Sequence, residues 1–220
     1  MINIKQQEKI FLDIALNLKK PITTYAIGGT AMMLKGLKEE SVDMDIVFTS
    51  EEDRQAFKSA VKVLGFEDFD EKIVYGKRAN APEMVNVPDC RIDLFLNQVI
   101  NFAFTEGAKE RAKDTHVFHN NLIIKVADMH DIIVMKCATN RSKDEEDIIS
   151  IVKNEKINWD ILVGEAEAQI KLGNERAVLA LGTTLEKLVN NYKIAVPKEA
   201  LDKLWKMLKR QVKNKSKKYL

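Results

Sequence analysis

The segment Tyr25 to Phe48, YAIGGTAMMLKGLKEESVDMDIVF, constrains this chain more than any other. One apolar run ends at two glycines, and a second carries Asp43 and Asp45 one residue apart. Strands select against aspartate, so two in one short strand need a reason. Side chains alternate across a strand, which puts Asp43 and Asp45 on one face and Met44 and Ile46 on the other. Carboxylates so placed repel each other unless a cation lies between them. Hard oxygen ligands at close spacing suit Mg2+ or Mn2+. A pair of acids at a strand edge facing water is the alternative reading of the same two residues.

The glycines favour the first reading. A strand that runs through Gly28-Gly29 into a helix presents free backbone N–H groups and the positive helix end at one point, an arrangement that suits phosphate. Thr30 adds a hydroxyl there. A third acid, Asp93, sits in CRIDLFLN between Ile92 and Leu94. If its strand neighbours that of Asp43, three carboxylates converge, as two-metal phosphoryl transfer requires.

The remaining pattern predicts an α/β fold: a mixed sheet backed by helices, then a C-terminal helical bundle. Helical spacing covers residues 5–19 and 50–64, and a short helix covers 30–35. Strands are expected at Ile22–Ile27, Asp43–Phe48, Lys72–Tyr75, Met84–Val87 and Arg91–Leu96. THVFHNNLIIKV reads as a hairpin turning at Asn120-Asn121, since Asn tolerates positive φ. From Met129 the period is helical, with helices expected at 129–139, 143–153, 158–172, 174–192 and 197–213. The expected division is a catalytic region over 1–155 and a helical region over 156–220.

With 45% hydrophobic and 31% charged residues and a net charge of +2, the composition singles out no partner. The charge is uneven, because no acid follows Asp202 and Lys209, Arg210, Lys213, Lys215, Lys217 and Lys218 crowd the end. That tail suits RNA phosphates or is a solvated helix end. Cys90 and Cys137 have no metal spacing, and His116, His119 and His130 do not form a zinc set; a reducing cytoplasm is expected. Trp159 and Trp205 lie on apolar helical stripes and read as core. The N-terminus lacks the apolar stretch of a signal peptide, and no run is long enough to span a membrane.

The combination GGT…SVDMDIVF…RIDLF resembles the nucleotidyltransferase superfamily that includes DNA polymerase β, the aminoglycoside nucleotidyltransferases and the toxins of abortive-infection systems. The resemblance implies Gly28, Gly29 and Thr30 as the nucleotide-binding turn and Asp43, Asp45 and Asp93 as catalytic metal ligands. DIIVMKCATNRSKDEEDI is similar to the toxin-like branch, with Lys136 as the helix lysine, Arg141 and Lys143 as the basic pair, and Asp144 and Asp147 as the acids. It implies that Lys136, Arg141 and Asp144 serve the nucleotide. Thr30 departs from the usual serine but keeps the hydroxyl. The implied activity is Mg2+-dependent transfer of a nucleoside monophosphate from an NTP to an acceptor hydroxyl on RNA, protein or a small molecule. A role as the toxin-like part of a two-component system would bring a partner protein. A non-catalytic nucleotide-binding or interaction module is the alternative, and the retention of three mutually repelling acids argues against it.

Overall fold

The computed structural model describes residues 1–139 and 141–216; Lys217 and Lys218 of the basic tail lie outside them. The chain packs as two compact units that divide between Asp128 and Met129.

In the first unit, β1 (Ile2–Asn3) leads into α1 (Ile4–Asn17), where Asn3 and Gln6 cap each other reciprocally. Phe11, Ile14 and Ala15 on α1 are buried, the stripe that the helical spacing foretells. β2 (Ile22–Ala26) runs into α2 (Gly28–Leu34), and β3 (Glu40–Ser41) precedes β4 (Asp43–Phe48). Ser50 caps α3 (Glu51–Val63), whose Phe57 packs edge-on against Phe48 with ring centroids 5.4 Å apart. β5 (Glu67–Phe69), α4 (Lys72–Tyr75), β6 (Glu83–Val87) and β7 (Cys90–Leu96) follow. β8 (Gln98–Val99), β9 (Phe102–Ala103) and α5 (Glu106–Arg111) lead to the hairpin of β10 (Asp114–Phe118) and β11 (Leu122–Val126).

The main sheet has the strand order β10-β11-β2-β4-β7-β6-β5, with β8 paired to the end of β7 and β9 to β8. β4 lies antiparallel to β2 and parallel to β7. One face of β4 is core: Met44 and Ile46 are fully buried, as are Ile92 and Leu94 on β7. Each such side chain contributes roughly 1.5–3 kcal/mol. Their burial fixes the register, because a slip of one residue would exchange the two faces of the strand.

Two local expectations are corrected. Lys72–Tyr75 is a helical turn, not a strand. β5 has already taken the sheet edge beside β6, and the Asp70 carboxylate accepts from the Lys72 amide, which starts a turn. In the hairpin, the left-handed residues are His119 and Asn120, one position earlier than expected. Asn121 instead uses its side-chain amide to donate to the Leu18 carbonyl.

The second unit is helical: α6 (Met129–Cys137), α7 (Ser142–Asn154), α8 (Trp159–Lys171), α9 (Ala177–Tyr192) and α10 (Lys198–Ser216). Leu162, Val178, Leu181, Leu185, Leu188 and Leu204 form its core. Trp205 is half-buried and donates from its indole to Glu186. Among the described residues, no helix is long and apolar enough to cross a membrane.

Candidate active site

Parallel pairing of β4 with β7 sets Asp43 opposite Arg91 and Asp45 opposite Asp93. These four side chains share the face away from Met44 and Ile46, as alternation demands. One carboxylate oxygen from each of Asp43, Asp45 and Asp93 lies within 4.8 Å of the others. Asp93 is fully buried, and Asp43 and Asp45 are half-buried.

Three acids at this distance need positive charge, and Arg91 supplies some. Its Nε donates to Asp93 Oδ1 at 3.0 Å, and an Nη donates to Asp43 Oδ2 at 2.7 Å. Burial works against the guanidinium charge, but the pull of Asp93 and Asp43 outweighs it. Ser41 donates to Asp43 Oδ1 at 3.3 Å, and the Tyr75 hydroxyl donates to Asp93 Oδ2 at 2.6 Å. Burial pushes the Asp93 carboxyl above its ordinary range, against the opposing effects of Tyr75 and Arg91. Burial, then the charges of Asp45 and Asp93, also push the Tyr75 phenol well up, so it stands as a donor.

The β2–α2 turn closes on the same acids. Gly28 has φ +55°, and a Cβ there would come 2.4 Å from Asp45 Oδ2. Both observations require glycine at this position. A Cβ on Gly29 would come 2.5 Å from Ser41 Oγ. Thr30 is fully buried, and its hydroxyl oxygen accepts from the Asp45 amide at 2.8 Å. The Ile27 amide donates to the Asp45 carbonyl. Thus Thr30 ties the turn to β4, while the first turn of α2 takes no side-chain cap. Its N–H groups remain the part of the turn suited to an anion.

Lys136, Arg141 and Asp144 lie in the second unit and form a cluster of their own. Lys136 Nζ donates to Asp144 Oδ1 at 3.1 Å and to Asp147 Oδ2 at 2.6 Å. Arg141 makes a forked pair with Asp144, with Nε at 2.6 Å from Oδ2 and Nη at 3.1 Å from Oδ1. The Thr139 hydroxyl also donates to Asp144. Burial would raise the Asp144 carboxyl, but Arg141, Lys136 and Thr139 outweigh it and hold it below the usual range.

Sequence reasoning passed over Arg91, Ser41 and Tyr75. Arg91 carried a signal, since it stands two residues before Asp93 and so on its face of the strand; Ser41 carried none, because it lies on β3 and the chain bends at Val42 before Asp43. Tyr75 carried none, because the stretch around it read as a strand.

The donor set of carboxylate oxygens fits a hard divalent cation, and the guanidinium already seated between two of them shows that the site takes positive charge. Several solved structures match the chain at low identity. The antibiotic-resistance factor ANT(2'')-Ia, crystallised with adenylyl-2''-tobramycin, is 13% identical with a TM-score of 0.47, covering 83% of this chain and 98% of that one. A solution structure of the same factor is 14% identical with a TM-score of 0.42, covering 84% and 94%. A candidate nucleotidyltransferase from H. pylori is 18% identical with a TM-score of 0.42, covering 97% and 96%. No curated protein matches the chain at a significant level. Residues 8–193, which hold the glycine turn and all three acids, match one family throughout, and the chain belongs to it: the nucleotidyltransferases of unknown function designated DUF6036.

Proposed function

We propose that this nucleotidyltransferase moves a nucleoside monophosphate from an NTP to an acceptor hydroxyl with the help of Mg2+ or Mn2+ held by Asp43, Asp45 and Asp93. The observation that carries the reading is the convergence of three carboxylates, one fully buried, beside an uncapped helix start. A bound divalent ion would supply charge for the phosphates and a lower pKa for the attacking hydroxyl. The chain's own groups do the rest. The amides of Gly28 and Gly29 receive the triphosphate, Gly28 letting it approach the backbone closely. Thr30 fixes Asp45 through the Asp45 amide. Asp93, buried and already accepting one hydroxyl proton, receives the proton of the acceptor.

Of the nucleotide-binding candidates in the second unit, Arg141 is the exposed cation, with a side chain 70% exposed, and its role on a phosphate rests on the family resemblance. Lys136 lies between two carboxylates and is 9% exposed, so its effect on nucleotide would pass through the order it gives to Asp144. The acceptor reading favoured by the surface is RNA, because α10 exposes Lys206, Lys209, Arg210 and Lys213. A toxin-like role, with a partner protein controlling the site, is the biological setting consistent with that acceptor.

The test is transfer of label from each NTP to total RNA with Mg2+ present, in wild type and Asp45→Asn. The variant should fold normally and lose both transfer and Mn2+ binding. Near-normal transfer by Asp45→Asn would sink the reading.

A further inference from the structure

Asp93 has both oxygens engaged: Arg91 holds Oδ1 and the Tyr75 hydroxyl holds Oδ2 at 2.6 Å. The reading above, on which this inference rests, needs an acceptor hydroxyl whose proton passes to Asp93. A hydroxyl already stands in that place. Tyr75 is half-buried on the one-turn α4, and its ring meets Phe95 edge-on at 6.2 Å. Apart from Tyr75, the residues of α4 face solvent. Ile73 and Val74 are exposed, and Gly76 ends the turn with φ +61°. Residues 76 to 81 that follow include exposed Lys77 and Arg78, and Lys72 precedes the phenol by three positions. Over residues 70–78 the cations Lys72, Lys77 and Arg78 outnumber the acids Asp70 and Glu71, a balance that favours the approach of a triphosphate to the phenol.

We propose that Tyr75 is itself an acceptor, nucleotidylated by its own chain when no other hydroxyl displaces it. The Tyr75 Oη–H bond breaks and its proton passes to Asp93 Oδ2. Oη forms a bond to the α-phosphorus of the NTP, and the bond from that phosphorus to the bridging oxygen breaks. Pyrophosphate leaves with the electron pair, and tyrosine is left as a phosphodiester of the nucleoside. The product places a new negative charge beside Asp45 and, once Asp93 has released the proton to solvent, beside the Asp93 carboxylate as well, and the hydrogen bond that held Tyr75 to Asp93 is gone. Repulsion then drives the segment out of the site, which opens Asp93 to an outside acceptor and loosens the backbone at Lys77 and Arg78, whose side chains are already exposed.

The full-length chain is incubated with Mg2+ and each NTP in turn, with no added acceptor, and examined by intact mass and peptide mapping. One nucleoside monophosphate, less water, should appear on the peptide holding Tyr75, and trypsin should then cut faster at Lys77 and Arg78. Tyr75→Phe removes a single oxygen and keeps the ring against Phe95; it should fold, bind NTP by calorimetry, and gain no mass. Either of two results overturns the proposal: wild type that binds NTP and Mn2+ yet gains no mass, or a mass gain that persists in Tyr75→Phe. A chain that binds neither NTP nor Mn2+ sinks the metal-assisted reading first, and this proposal with it.

Discussion

The two acidic clusters of this chain use similar residues to opposite ends. In the second unit, Asp144 and Asp147 are matched by Lys136 and Arg141, two charges against two. On β4 and β7, Asp43, Asp45 and Asp93 crowd within 4.8 Å while Arg91 reaches two of them. The carboxylates of the matched cluster can be nearly sealed from water because Lys136 is buried with them and Arg141 covers Asp144 from outside; the Asp144 side chain is 3% exposed. The crowded one gathers three carboxylates on a half-buried face, a donor set that suits a further cation. On the proposed reading, the contrast separates a cluster that ties α6 to α7 from one that receives a cation.

Removing the cation from each cluster should break them differently. Lys136→Met takes the buried cation from between Asp144 and Asp147 and leaves Arg141 on Asp144, a loss that typically costs about 3–5 kcal/mol. Chemical denaturation should show that loss, and added Mn2+ should not recover it. Arg91→Met should also lower the melting temperature, because repulsion among the three acids rises, but Mn2+ should restore it in a saturable way. If Mn2+ rescues neither variant, the crowded cluster is no metal site and the comparison fails.

The clusters also differ in what they ask of the backbone. Asp144 and Asp147 occupy ordinary helical positions on α7, whereas Asp45 is tolerated only because Gly28 leaves room beside it. Gly36 provides a control, with φ +70° and nothing within 4 Å of a built Cβ. Alanine at Gly36 should cost the left-handed strain alone, about 1–2 kcal/mol. Gly28→Ala should cost more, since the methyl also meets the Asp45 carboxylate, and it should weaken Mn2+ binding, which Gly36→Ala should leave intact. Equal costs for the two would mean that the turn and Asp45 are not coupled.

Much of this was legible in the sequence because it follows from a period of two. Alternation put Asp43 and Asp45 on one face, and the apolar neighbours of Asp93 identified a strand, which the sheet sets beside β4. The pairing partner itself was not legible, because register arises between segments 48 residues apart. Arg91 is visible within RIDLF, but its value depends on having Asp43 directly across the ladder. Tyr75 was hidden for another reason. KIVY has the composition of a strand, and only the prior claim of Glu67–Phe69 on the sheet edge, with the Asp70 cap, makes it helical. The matched cluster was legible as a motif but not as an ion network, because the sequence does not say that Lys136 is turned inward between its acids.

The smallest expected effect concerns pH, and its sign distinguishes the clusters again. Asp144 is held below the usual carboxylate range, with burial opposed and outweighed by Arg141, Lys136 and Thr139. A carboxyl depressed in the folded state adds stability that is present above its unfolded value, about 3.9. That stability is lost as pH falls from about 5 through the folded value. Asp93 is shifted the other way by burial. Its folded form binds a proton more readily than the unfolded chain, so acid relieves its buried charge and partly offsets the loss at Asp144. Asp144→Asn should therefore flatten the fall in melting temperature below pH 5, at the cost of a lower melting temperature near neutrality. Asp93→Asn should do the reverse: a melting temperature at pH 7 that holds or rises, and a steeper fall in acid. Saturating Mn2+ should erase the Asp93 part of the profile by stabilising its charged form, and leave the Asp144 part untouched. If both variants change the profile in the same direction, the two clusters are not electrostatic opposites and the division of labour between them is wrong.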